Sequence, residues 1–247
     1  MAVETSKLPK VVTTYKLSYA QYSQLRKRNY PYLVEEQKGI HERSALYFDT
    51  PDFELMREVQ DGGVYQELFR MRTSESLMKE SLVAMEIVKE FNGRKSLRNI
   101  LIPYVNAQSF LRDYRKYILK EGVEAQISRE IEYLVSGRNL VPKVVISSDR
   151  ISAICTKKGR LEMDFDFNIR WRTVNFDLKK GNIGEFVDPT LNVLMTVKSE
   201  GSHPQWFREL VEELSLYESS FSSLMVTYKE HLFSKENKNY VSEFVGG

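Results

Sequence analysis

The sequence predicts an α+β fold on a largely antiparallel sheet, with about eight strands and helices at the middle and the end of the chain. Three observations lead there. The stretch LEMDFDFNIRWR, residues 161–172, alternates apolar and polar residues without a slip, which is the period of a strand with one greasy and one charged face. Short apolar stretches of similar alternation recur along the chain, separated by turn chemistry, and Tyr (14) and Phe (13) are plentiful, as strands favour. Helical three- and four-residue spacing is concentrated at 106–136 and 204–233.

In chain order, KVVTTYKLS (10–18) reads as a strand and SYAQYSQLRKRN (18–29) as a short helix with Ser18 as its N-cap. ERSALYFDTPDFELMRE (42–58) is a strand, a turn at DTPD, and a short apolar segment; Asp49, Pro51 and Asp52 supply the turn. QDGG (60–63) reads as a hairpin signal leading into the strand VYQELFRMRT (64–73). SLVAMEIVKE (81–90) is a strand and NGRKS (92–96) a turn. Residues 106–136 carry Phe110, Leu111, Tyr114, Ile118 and Leu119 at helical spacing. Strands are expected at 142–155, 161–172, 184–188 and 192–201. The end, 204–233, reads as two helices broken near Tyr217–Ser220, with Pro204 at the start and Trp206 and Phe207 docking the first.

The chain of 247 residues, 28% charged and 42% hydrophobic with net charge +2, is expected to form a single domain over 1–247, with a core of about 10–232 and loose ends at 1–8 and 234–247. One cysteine, Cys155, excludes an intramolecular disulfide, and three scattered histidines argue against a zinc cluster. MAVETSKLPKVV has no signal-peptide pattern and no window approaches 18 apolar residues, so a cytoplasmic protein without a membrane span is expected. The small net charge and the lack of a basic stripe with interleaved aromatics disfavour nucleic acid.

The direction of the charged faces decides the function. A lone strand such as 161–172 suits a half-exposed sheet. Here several strands combine an apolar face with fixed charges. Gln66, Leu68, Arg70 and Arg72 share one face; Glu86 lies opposite Met85 and Ile87; Thr196 and Lys198 oppose Met195 and Val197. A sheet closed into a barrel, apolar side outward under helices, places Arg70, Arg72, Arg170 and Lys198 against Glu86 and Asp166 in an enclosed polar space. Guanidiniums at every second residue suit a chain of phosphates, because each binds oxygens in a bidentate way. Arg70 and Arg72 equally suit pairing with Asp164 or Asp166 in a structural ion network, with Glu86 an ordinary arginine partner.

The order of LYFDTPDFELMRE, YQELFRMRT, AMEIVKEFNGRKSLR, VVISSDR, DFDFNIRWR and LMTVKSEGSHPQWFRELVEELSLYESSFS resembles the VTC domain. This is the polyphosphate-polymerase module of the vacuolar transporter chaperone complex and its bacterial relatives, within the CYTH-like triphosphate tunnel metalloenzyme superfamily. The likeness covers roughly residues 10–232, and YFDTPD and the VK…G…PQWF…L…SSFS tail are its most specific parts. The resemblance implies an antiparallel β-barrel tunnel that binds polyphosphate or nucleotide triphosphate with Mg²⁺ or Mn²⁺ and transfers a γ-phosphoryl group. Carried over by position, Arg70, Arg72, Arg150 and Lys198 hold phosphates, with Arg70, Arg72 and Lys198 in the catalytic part. Glu86 serves the metal, alone or with Asp164 or Asp166.

The sequence departs from that pattern. Val12 and Thr14 stand where the family has a Glu-x-Lys, Leu68 and Val88 where it has lysines, Glu162 for an arginine, Thr196 for a glutamate and Ser223 for a lysine. Three functions follow as expectations: a polyphosphate- or triphosphate-binding domain with weak or lost catalysis; an active metal-dependent polymerase or triphosphatase with a rearranged site; or a scaffold whose charges neutralise one another. The resemblance also implies a membrane or regulatory partner protein.

Overall fold

The computed structural model describes residues 10–29, 32–73, 77, 81–92, 94–112, 122–157 and 160–233. The expected loose ends, and Tyr114, Ile118 and Leu119 of the middle helical stretch, lie outside these. In order come β1 (Lys10–Leu17), α1 (Tyr19–Asn29), β2 (Leu33–Glu35), β3 (His41–Asp49), α2 (Glu54–Gln60), β4 (Tyr65–Thr73), β5 (Leu82–Phe91) and β6 (Arg94–Pro103). Then follow α3 (Tyr104–Arg112), α4 (Gly122–Gly137), β7 (Val141–Cys155), β8 (Leu161–Arg172), β9 (Glu185–Phe186), β10 (Val193–Glu200), α5 (Gln205–Glu213) and α6 (Ser223–Val226), the last running on as a π-helical turn over Thr227–Leu232. The fold is α+β.

The strands form an antiparallel sheet of hydrogen-bonded order β1-β10-β8-β7-β3-β4-β5-β6, with β2 on β7 and β9 on β8. The order has two ends, so the closed ring of pairing expected from the sequence is not present among the described residues. Closure depends on strand tilt and stagger, which alternation does not encode. Two other expectations are corrected. QDGG ends α2 and leads into β4 instead of closing a hairpin; glycine turn chemistry is the same in both settings. The turn at 92–96 is shorter than expected, because a whole strand, β6, begins at Arg94.

The chain divides into two compact units. One holds Met1–His41, Ser148–Ile169 and Asp188–Phe221; the other holds Glu42–Ser147, Arg170–Val187 and Ser222–Gly247. In the first, β1, β10 and β8 pair in register, with Thr14 opposite Thr196 and Thr196 opposite Asp164. Met163, Phe165, Met195 and Val197 bury their side chains with Tyr15, Leu25 and Phe207. Ser18 caps α1 as expected. Its Oγ accepts from Gln21 N at 3.2 Å, while Ser18 N donates to Gln21 Oε1 at 2.9 Å, a reciprocal capping box.

In the second unit, Phe69 and Met71 of β4 and Met85 and Ile87 of β5 are buried with Ala107 and Phe110 of α3 and Ile127, Ile131 and Leu134 of α4. The amphipathic helices thus cover the apolar face of β4–β6, and apolar burial is what fixes the opposite, polar face. The YFDTPD turn is a helix cap. Fully buried Asp49 accepts from Leu55 N on Oδ1 and from Met56 N on Oδ2, each at 2.9 Å, answering orphan donors at the start of α2.

Candidate functional site

On the polar face of the second unit, cross-strand register sets Tyr47 opposite Arg70, Arg70 opposite Glu86, and Glu86 opposite Asn99. Arg70 Nε donates to Glu86 Oε2 at 2.7 Å and its Nη1 to Tyr47 Oη at 3.2 Å. Arg72 reaches diagonally: its Nε lies 2.9 Å and its Nη2 2.8 Å from Glu86 Oε1. Both carboxylate oxygens of a side chain with no exposed surface are therefore engaged by guanidiniums. Arg70 Nη2 and Arg72 Nη1 make no hydrogen bond among the described residues, and the two side chains stay 21% and 26% exposed. Burial alone would raise the Glu86 pKa, but the charges of Arg70 and Arg72 outweigh it and hold the group below the usual carboxylate range. Burial likewise opposes the charge of Arg70, and its neighbours Tyr47 and Glu86 reverse that and raise its pKa. The triad carries one net positive charge.

The first unit holds a second cluster of a different kind. Asp166 accepts from Ser148 Oγ at 2.6 Å and, as a fork, from Arg150 Nε at 2.8 Å and Nη2 at 2.5 Å. Asp164 accepts from Ser152 Oγ at 2.6 Å, Arg150 Nη1 at 3.1 Å and Lys198 Nζ at 2.8 Å. Burial raises the Asp164 pKa, but Arg150 and Lys198 overcome it and bring the group to about 2. Two cations meet two carboxylates, so these groups neutralise one another.

Of the residues expected at the site, Arg70, Arg72 and Glu86 come together in one unit, and Arg150, Lys198 and Asp166 in the other. The ion network weighed from sequence has other partners than expected: Glu86, not Asp164 or Asp166, holds Arg70 and Arg72, because β4 pairs with β5. Arg170 stands apart from both clusters among the described residues. Its Nη1 donates to the Gly184 carbonyl at 2.9 Å and its guanidinium lies 3.9 Å from the Phe186 ring centroid. Arg170 stands opposite Phe186 of β9 in register, and Asn168, two residues before it within β8, has a left-handed backbone, φ 49°. Arg172, buried, donates to the carbonyls of Asn175, Gly181, Ile183 and Asp177 and so clamps the segment after β8. Tyr47 is the residue that sequence reasoning missed. Its signal was available, since it alternates with buried Leu46 and Phe48 on β3. A cleft of about 650 Å³ lies on the helix-covered side, lined by residues including Tyr65, Lys89, Arg129 and Tyr133, and contains none of these groups.

Glu86 and Asp166 do not fit a resident Mg²⁺ or Mn²⁺. A hard cation needs carboxylate oxygens free to coordinate, and both oxygens of each already accept from guanidiniums. Among the described residues no group of three or more His, Cys, Asp or Glu is placed to hold a metal ion.

No curated protein sequence matches the chain. The model of the VTC domain matches residues 9–230. The structure is similar to that of a candidate adenylate cyclase from Bacillus halodurans, with 14% identity and a TM-score of 0.51 over 87% of this chain and 94% of that one. It is also similar to a candidate adenylyl cyclase from Hippeastrum that reveals a dominant triphosphatase activity, with 13% identity and a TM-score of 0.51 over 88% and 93% of the two chains. At these identities the likeness bears on the fold. The VTC match over most of the length identifies this chain as a member of the VTC-domain family.

Proposed function

We propose that the chain binds a phosphoanion, of the triphosphate or polyphosphate class, at the Arg70–Arg72 face, with phosphoryl transfer weak or lost. The observation that carries this is the two-to-one ratio of guanidiniums to carboxylate there. Glu86 and Tyr47 orient the arginines, and the remaining Nη groups are left to donate to phosphate oxygens. Family membership supports the ligand class, as does the triphosphatase activity of the Hippeastrum protein. The reading of weak catalysis rests on Thr196 and Leu68, which stand where charged residues are expected, and on carboxylates already held by arginine. Thermal unfolding with tripolyphosphate, long-chain polyphosphate and ATP tests the reading. A rise in midpoint with at least one of them is expected; no rise with any of the three overturns it. Phosphate release or chain growth that needs Mg²⁺ or Mn²⁺ and vanishes in Glu86→Ala would instead establish an active enzyme.

A second reading, a scaffold, is favoured by one observation: the Arg150–Lys198–Asp164–Asp166 cluster is internally balanced. It expects a protein partner in pull-down and no small anionic ligand. No helix among the described residues is long and apolar enough to cross a membrane.

A further inference from the structure

We infer that Asp164 is a resident counter-anion: it fills, in the first unit, a cradle of donors that would otherwise take a phosphate group, and so confines the phosphoanion to the Arg70–Arg72 face. This deepens the phosphoanion reading and rests on it. Three donors converge on this one carboxylate. Lys198 Nζ of β10 and Arg150 Nη1 of β7 both donate to its Oδ2, at 2.8 and 3.1 Å, and Ser152 Oγ donates to its Oδ1 at 2.6 Å. An ammonium, a guanidinium and a hydroxyl aimed at two oxygens of one anion are a donor set that suits a phosphate group.

Holding Arg150 does not require this carboxylate. Asp166 already binds that guanidinium as a fork through Nε and Nη2, and Ser148 Oγ donates to the same aspartate. Lys198 keeps 33% of its side-chain exposure, so water can serve its ammonium. Burying a further carboxylate is costly, and a buried ion pair is weak grounds for stability. What Asp164 does is occupy all three converging donors. The row beside it is neutral, with Thr196 opposite Asp164 and Thr14 opposite Thr196, both half-buried. Glu162 stands opposite Lys198 in the next row and adds negative charge at the edge of the cradle. An arriving phosphate must therefore displace a carboxylate tied to its own strand, which competes at a high effective concentration.

The test is calorimetric titration of the full chain with tripolyphosphate in a chelator-containing buffer, for the wild type, Asp164→Asn, Asp164→Ser and Glu162→Gln. Asp164→Asn removes the charge and keeps the packing; Asp164→Ser also vacates the space, and either variant suffices if it folds. Tripolyphosphate is expected to bind about tenfold tighter to Asp164→Asn than to the wild type, and no less tightly to Asp164→Ser, with the gain lost when Lys198→Ala is added. Glu162→Gln removes an equal charge outside the cradle and is expected to gain less than about threefold. Unchanged affinity in the folded Asp164 variants, a gain that survives Lys198→Ala, or an equal gain in Glu162→Gln overturns the inference while leaving the phosphoanion reading in place. Binding by the Asp164 variants with none by the wild type overturns the Arg70–Arg72 reading and supports the cradle. No binding by any of these chains overturns both.

Discussion

Glu86→Gln isolates the electrostatic core of the candidate site. The substitution keeps the shape of the side chain and removes the one negative charge to which Arg70 and Arg72 are both bonded. Removing one partner of a buried ion pair costs about 3–5 kcal/mol, because the other charge stays behind without compensation. The arginines keep 21% and 26% of their side-chain exposure, so water screens part of what remains and the low end, about 3 kcal/mol, applies. For a chain of 247 residues this corresponds to a midpoint about 6–12 °C lower. The same change raises the net charge of the triad from +1 to +2, and tripolyphosphate should then bind about tenfold tighter and restore part of the lost stability. Thermal unfolding at low ionic strength, with and without tripolyphosphate, reads both effects. A variant as stable as the wild type, with unchanged or weaker affinity, would refute the view of Glu86 as the shared counter-charge and return it to the candidates for a metal ligand.

The aspartate cluster gives a pH prediction. Asp164 lies at about 2 against an ordinary aspartate value of about 3.9, so its pairing stabilises the fold fully above that ordinary value and loses this contribution as pH falls toward 2, in all about 2.5 kcal/mol. Asp164→Asn should therefore destabilise at pH 6 and converge with the wild type near pH 2, as followed by denaturant unfolding across that range. Gly184, at φ 129°, would bring an added Cβ within 2.2 Å of the Trp171 carbonyl oxygen; Gly184→Ala should cost about 3 kcal/mol or more in unfolding free energy, since backbone must move. Asp49→Ala leaves donors of Leu55 and Met56 at the head of α2 without their acceptor, and should lower stability by about 2 kcal/mol in the same assay.

How far the sequence reaches is seen element by element. β8 is legible because one of its faces must be buried, and Met163 and Phe165 are. β6 is not, because Leu97 and Leu101 on one face and Ile100 and Ile102 on the other break the alternation that marks a strand. The pairing of Arg70 and Arg72 is a matter of register between β4 and β5, a non-local fact that leaves Glu86, Asp164 and Asp166 equivalent when only spacing is known. Arg170 follows the alternation of its strand on paper, yet Asn168 turns the backbone into the left-handed region two residues earlier, and nothing in the period announces that. Ser18 and its reciprocal bond with Gln21 show the opposite case, where the chemistry is local and the sequence suffices. The YFDTPD turn also reads correctly as a turn, but its work is capping α2.

Titration of tripolyphosphate into the wild-type chain and into an Arg70→Ala/Arg72→Ala double variant, in a chelator-containing buffer, bears most directly on whether this face binds phosphate by guanidinium alone. Binding in the wild type that weakens at least a hundredfold in the double variant, while Lys198→Ala stays near wild type because Asp164 already engages that lysine, is the expected result. Equal affinity in the wild type and the double variant, or binding that appears only when Mg²⁺ is restored, would contradict it.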